Sequence, residues 1–129
     1  NHLKDVKFWG NLEREKTLIK LSESDIFVFP SLKEGASWSL LEAMALKKPI
    51  VCLELNGIKE TTDEKCALRV KVNNNDTIST LSKKYADAII KVCKISDEER
   101  KTMGENGYQR LNEFFSFERG RKLVHEWLE

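Results

Sequence analysis

Two glutamates, Glu34 and Glu42, stand eight residues apart, one on each side of a run of small residues. The stretch reads Pro30-Ser31-Leu32-Lys33-Glu34-Gly35-Ala36-Ser37-Trp38 and leads into a segment of helical period that contains Glu42. Gly35 carries no side chain, and Ala36 and Ser37 are small, so a ligand can approach the backbone here. If a helix opens near Trp38, the N–H groups of Ser37–Ser39 lack intrahelical acceptors and can meet a phosphate-like anion. Carboxylates on either side accept hydrogen bonds from hydroxyls. An anion flanked by hydroxyl groups therefore suits this segment, and a sugar joined to a nucleoside diphosphate has both. The competing reading is a solvated loop glutamate and a surface helix glutamate. The apolar residues around Glu42 weigh against it, because they make that helix largely buried.

The elements that must position these residues can be read from apolar periodicity. Val6–Trp9 is a short strand candidate ended by Gly10. Leu12, Leu18, Ile19 and Leu21 fit one face of a helix over about residues 13–22. Ile26–Phe29 is a continuous apolar run, which suits a strand buried on both faces. Leu40, Leu41, Met44 and Ala45 predict a helix over about 38–47, and Ile50–Leu53 another buried strand. Gly57 opens a turn or short helix, and Leu68–Val72 is a weaker, fourth strand. From Asp76, a plausible N-cap, Ile78, Leu81, Tyr85, Ala88, Ile89 and Val92 form one apolar stripe. Ser96-Asp97-Glu98-Glu99 is a capping box for a helix to about Asn112. Phe114, Phe115 and Phe117 are expected to pack, and Ser116 to cap a last helix ending near Leu128. Strands alternating with helices through short links predict an α/β fold with a parallel sheet, whose ligands bind beyond the carboxyl ends of the strands. The loop beginning Pro30-Ser31 lies at such an end.

The 129 residues amount to one domain. A net charge of +1 gives no general attraction to nucleic acid or anionic lipid. Cys52, Cys66 and Cys93 form no C-x-x-C pair, and His2 and His125 sit at opposite ends, so no metal site follows from spacing. The thiols are expected to be reduced, mostly buried and inert, as in a cytosolic protein. No run approaches the ~18 apolar residues of a membrane helix, and no signal peptide is visible. Lys33, Lys47 and Lys48 read as solvated. Trp9 and Trp127 read as packing residues, and Trp38 as either a core anchor or a wall of the ligand site.

Several segments together resemble the group 1, or GT4, family of retaining GT-B glycosyltransferases. Glu34-Gly35, Leu40-Leu41-Glu42-Ala43-Met44-Ala45 and Pro49-Ile50-Val51 resemble its proline-serine, E-x7-E, EAMA and Pro-Val-Val signature. Asp25-Ile26-Phe27-Val28-Phe29-Pro30-Ser31 resembles the strand before it, and Gly57-Ile58-Lys59-Glu60 the later Gly-x-x-Glu turn. The tail segments Glu98-Glu99-Arg100, Met103-Gly104-Glu105-Asn106 and Phe115-Ser116-Phe117-Glu118 resemble its closing helices. The resemblance implies that Glu34 faces the donor sugar and holds its hydroxyls, and that Glu42 accepts from the ribose. It implies that the N–H groups of Ala36, Ser37 and Trp38 meet the pyrophosphate, with Gly35 giving room and Glu60 near the donor. Ala36 and Ser37 replace an aromatic residue and a glycine of the common loop. Ser37-Trp38 and Cys52-Leu53-Glu54 instead resemble a subgroup with Ser-Trp and Cys-Leu-Asp there. Lys47 stands where a glycine usually precedes the lysine and proline, at the cost of a helix C-cap.

What the resemblance implies about activity is transfer of a glycosyl group from a nucleoside-diphosphate sugar to an acceptor hydroxyl with retention. It implies no essential metal and no further cofactor. It places the acceptor-binding domain and the arginine and lysine that neutralise the diphosphate upstream of Asn1, so residues 1–129 would be most of the donor-binding half. With a strand order of 3-2-1-4-5-6, the Val6–Trp9 strand would be separated from Ile26–Phe29 by two missing strands. Residues 1–129 alone are then expected to be inactive. The expected partners are a nucleotide sugar and a saccharide or lipid-linked acceptor. The full enzyme is expected at the cytoplasmic face of a membrane, peripherally attached, in cell-surface polysaccharide or glycolipid synthesis. The alternative is a non-catalytic or split-subunit nucleotide-sugar-binding module that needs a separate acceptor-binding partner.

Overall fold

The computed structural model describes the backbone of residues 3–33 and 37–128, with side chains through residue 126. Among them are three parallel strands in the order β1 (Phe27–Phe29), β2 (Ile50–Leu53) and β3 (Ala67–Val70). Phe27 pairs with Ile50, and Ile50 with Ala67. The described residues also form six helices: α1 (Arg14–Glu23), α2 (Trp38–Ala45), α3 (Asn56–Thr61), α4 (Ile78–Lys94), α5 (Asp97–Phe114) and α6 (Phe117–Leu128). The fold is thus α/β, Rossmann-like, with a parallel sheet flanked by helices.

The central strand shows why. All four residues of β2 are buried, and its side chains alternate between two cores as a pleated strand requires. Ile50 and Cys52 join Leu40, Ala43 and Met44 of α2, with Ile58 and Leu111, on one face. Val51 and Leu53 join Tyr85, Ala88 and Val92 of α4 on the other. The Tyr85 hydroxyl donates to the Val51 carbonyl at 2.7 Å, fixing α4 over the strand. Burial pushes the Tyr85 phenol far above its usual range.

The helix α2, which carries Glu42, is held from behind by α5. A Cβ added to Gly104 would lie 2.0 Å from the Lys47 carbonyl oxygen, so glycine is required for this approach. Lys47 itself has φ of 55°, the left-handed conformation that a glycine would adopt more cheaply. Lys47 pairs with Glu105 at 3.0 Å. Lys48 is not simply solvated: its ammonium donates to the Ser22 and Ser24 carbonyls, both at 2.7 Å, and closes the end of α1.

Several sequence expectations change. Val6–Trp9 is not a strand. It pairs with nothing in the sheet, and Val6, Phe8 and Trp9 are exposed. Without a neighbouring strand, its backbone has no ladder to join. The sheet among the described residues therefore has three strands, and β1 is an edge. The N-cap of α4 is Thr77, whose hydroxyl accepts from the Thr80 N–H at 3.2 Å. Asp76 instead accepts from Lys84 at 2.7 Å and from the Asn73 N–H at 2.8 Å, contacts that lower its carboxyl pKa. Ile78 is 86% exposed and Phe117 87%, so neither is core. Trp9 lies half-exposed under Lys7 and Lys20. The Ser96–Glu99 capping box is present, and Cys52 and Cys66 are buried while Cys93 is exposed. Among the described residues no helix is long and apolar enough to cross a membrane.

Candidate functional site

The candidate site lies at the carboxyl end of β1. The link from β1 to α2 starts at Pro30, and α2 opens at Trp38. Ser37 is its N-cap, with φ −98° and ψ 119°, but its side chain makes no capping hydrogen bond. The first backbone bond of the helix runs from the Leu41 N–H to the Ser37 carbonyl at 3.3 Å. The N–H groups of Trp38, Ser39 and Leu40 precede it and have no acceptor within the helix. With the helix dipole behind them they favour an anion.

The apolar spacing of α2 sets the aim of Glu42. Leu40, Ala43 and Met44 are fully buried, which turns one stripe of the helix onto the sheet and α5. Glu42 falls beside that stripe, with a side chain 20% exposed. Its carboxylate oxygen Oε1 is 2.9 Å from Nη2 of Arg14, the first residue of α1. A helix joined to the following strand by a short link must run back along it, so the start of α1 lies toward the carboxyl end of β1. Arg14 and the N-terminus of α2 therefore share one end of the sheet. Sequence reasoning did not single out Arg14. No local motif marks it, and only the α1–β1 connection brings it beside Glu42.

The predicted site residues divide as follows. Glu34, Gly35 and Ala36 lie outside the described residues. Ser37 is buried, and Glu42 is half-buried on the same helix. Trp38 is 76% exposed, so it is not a core anchor. Glu60 is exposed near the end of α3, and its carbonyl accepts from Arg110 Nη2 at 2.8 Å. Among the described residues no hydrogen bond or ion pair joins Glu60 to Ser37, Trp38 or Glu42. Of two recesses, the one of about 340 Å³ adjoins the β1–α2 link, an apolar groove between Pro30, Leu32 and Leu53 and the α4 residues Ile78 and Tyr85. The larger, about 660 Å³, is an open trough along α6 that includes none of these residues. Among the described residues no three His, Cys, Asp or Glu side chains cluster as a metal site requires.

Comparison with known proteins adds the chemistry. The family described as "Glycosyl transferases group 1" matches residues 1–110. An uncharacterized glycosyltransferase of Methanocaldococcus jannaschii is 29% identical over 133 residues, covering 99% of this chain and 35% of that protein. The MMP alpha-(1->4)-mannosyltransferase of Mycolicibacterium hassiacum is 29% identical over 111 residues, covering 84% and 25%. A putative teichuronic acid biosynthesis glycosyltransferase of Bacillus subtilis is 25% identical over 89 residues, covering 69% and 23%. The chain thus spans about a third or less of the length of these relatives. With the match over 110 residues and an α/β fold whose helix N-terminus and carboxylate meet at one sheet end, the chain belongs to the group 1 glycosyltransferases.

Proposed function

We propose that this chain is the donor-binding part of a retaining GT-B glycosyltransferase that transfers a sugar from a nucleoside diphosphate to an acceptor hydroxyl. The observation that carries the reading is the start of α2. The Ser37 side chain does not cap its N–H groups, and Glu42, its side chain 20% exposed, stands one turn further along. The diphosphate sits on the N–H groups at Ala36, Ser37 and Trp38, with Gly35 leaving room for it. Glu42 accepts from the ribose hydroxyls, Glu34 from the donor sugar, and Trp38 lines the site. Glu60 takes a place near the donor. Fixed dipoles aimed at the departing diphosphate stabilise negative charge as the glycosidic bond breaks. No essential metal enters this scheme, since N–H groups and cationic side chains meet the diphosphate.

The acceptor, a saccharide or lipid-linked glycan, binds a further domain of the complete polypeptide, and residues 1–129 alone do not turn over. The relatives named for mannosyl transfer and for teichuronic acid biosynthesis support a hexosyl donor and a role in glycan assembly. That assembly takes place at the cytoplasmic membrane face, with the complete enzyme peripherally bound.

The test is a titration with UDP, GDP and ADP and their sugars, followed by NMR, with Glu42→Ala as the control. Saturable shifts at Ser37–Glu42 for one base, lost in Glu42→Ala, are expected. No response in either this chain or the complete protein would defeat the reading.

A further inference from the structure

We infer that Arg14 is a positioning residue for the ribose-binding carboxylate: it holds Glu42 in the orientation that accepts the nucleotide's ribose hydroxyls. The inference rests on the donor-site reading above and adds the residue that prepares it. Arg14 Nη2 lies 2.9 Å from Glu42 Oε1. The two residues come from different helices and are 28 positions apart, so the contact belongs to the tertiary fold and is not a local helix pair. Arg14 is 71% exposed and Glu42 20%. The pair thus joins an outer, solvated cation to an inner, partly desolvated anion.

A glutamate side chain free to sample its rotamers loses that freedom when it binds, and a partner that has already ordered it lowers the cost. A carboxylate offers about four acceptor positions on its two oxygens. One guanidinium N–H therefore orients the group without exhausting it, and a vicinal pair of hydroxyls can still be received. The placement also limits what Arg14 can do otherwise. Being largely in water, it adds little to the stability of the fold as an ion pair. Its contribution is to how Glu42 is presented. A guanidinium has donors in a fixed fork, whereas a lysine ammonium is a single mobile point charge. Lysine should therefore replace Arg14 only in part.

The experiment compares nucleotide affinities of the complete protein and its Arg14→Ala, Arg14→Lys and Glu42→Ala variants. The probes are UDP and GDP with their 2′-deoxy and 3′-deoxy counterparts. Arg14→Ala is expected to weaken the ribonucleotide by about three- to tenfold. It should change the deoxy analogues by less, so that discrimination for the hydroxyls shrinks. Arg14→Lys should fall between, and the melting midpoint should stay near wild type. In the Glu42→Ala background, Arg14→Ala should have no further effect, because the coupling runs through that carboxylate. Equal loss for ribo- and deoxyribonucleotides, or no loss, overturns the inference. If Glu42→Ala weakens binding while Arg14→Ala does not, only the role of Arg14 falls. If Glu42→Ala has no effect, or the wild type binds none of the probes, the donor-site reading falls with it.

Discussion

Gly104 and Gly107 sit one turn apart on α5, both buried, and the fold asks different things of them. At Gly104 a methyl group would meet the Lys47 carbonyl oxygen at 2.0 Å, and backbone cannot swing aside as a side chain can. At Gly107 the nearest atoms are the Cys66 Cβ at 3.4 Å and the Met44 Cγ at 3.6 Å, ordinary contact distances. Gly104→Ala should therefore cost about 3 kcal/mol or more by overpacking. Gly107→Ala should be neutral or gain up to about 1 kcal/mol from helix propensity. Urea denaturation of the two variants checks the contrast, and equal effects would contradict it. Because α5 seats α2, Gly104→Ala should also disturb nucleotide binding while Gly107→Ala should not. At this scale the sequence announced some residues and hid others. Glu42 stood out through its spacing from Glu34 and the apolar stripe around it. Gly104 and Arg14 did not, because their meaning comes from atoms distant in the chain: the Lys47 carbonyl and the Glu42 carboxylate.

The helices carry their own instructions at their ends, and these respond to acid. In α5 the Ser96 hydroxyl accepts from the Glu99 N–H at 3.1 Å, and Glu99 returns by accepting from the Ser96 N–H at 2.8 Å. Arg100 beside it donates to the Ile95 and Cys93 carbonyls at 2.7 and 2.9 Å, joining the end of α4 to the start of α5. Hydrogen bonds from Ser96 lower the Glu99 pKa, and those from Lys84 and Asn73 lower that of Asp76. A carboxyl whose folded pKa is depressed stabilises the fold above its unfolded value, and that contribution is lost as pH falls through the folded value. Stability should thus be flat near neutrality and decline below the ordinary carboxyl values of about 4. Asp76→Asn and Glu99→Gln should flatten that decline, as urea midpoints between pH 7 and pH 3 will report. An unchanged acid slope in both variants would contradict the assignment. Ser96→Ala should cost about 1 kcal/mol near neutrality, and less at pH 3, where protonated Glu99 no longer gains from the Ser96 hydroxyl. Element-scale reading succeeded where the signal was local. The Ser96 box and the Ile50–Leu53 strand appear as expected. It failed at Val6–Trp9, where strand character needs a partner that no local sequence can supply. It also slipped at Asp76, one residue before the true cap. Two neighbouring polar residues can each close a helix, and the geometry gave the cap to Thr77 and an ion pair to Asp76.

Across the whole molecule, two of the three thiols report on whether the sheet and its helices stay together. Cys52 lies on the central strand and Cys66 just before β3, and both are fully buried in the core that α2 and α5 close. Burial pushes each thiol up to about 11. Cys93 is exposed. At pH 8 an alkylating reagent should modify one thiol at once, and peptide mapping should find it at Cys93. Cys52 and Cys66 should react only through opening of the core, at rates that rise with added urea. Rapid labelling of all three would contradict the packing. The same shifts set a limit on the alkaline side. A thiol whose folded pKa is raised stays protonated in the fold while the unfolded chain ionises. Its contribution is complete below about 9, falls as pH rises from there, and is exhausted near 11. Urea midpoints should therefore drop over that window, and Cys52→Ala or Cys66→Ala should reduce the drop even though each opens a small cavity and lowers stability at neutral pH. Since α2 carries Glu42 and rests on this same core, nucleotide affinity should persist up to the pH at which the core opens. An affinity that fades well before the core does would mean that the start of α2 comes apart independently of the sheet beneath it.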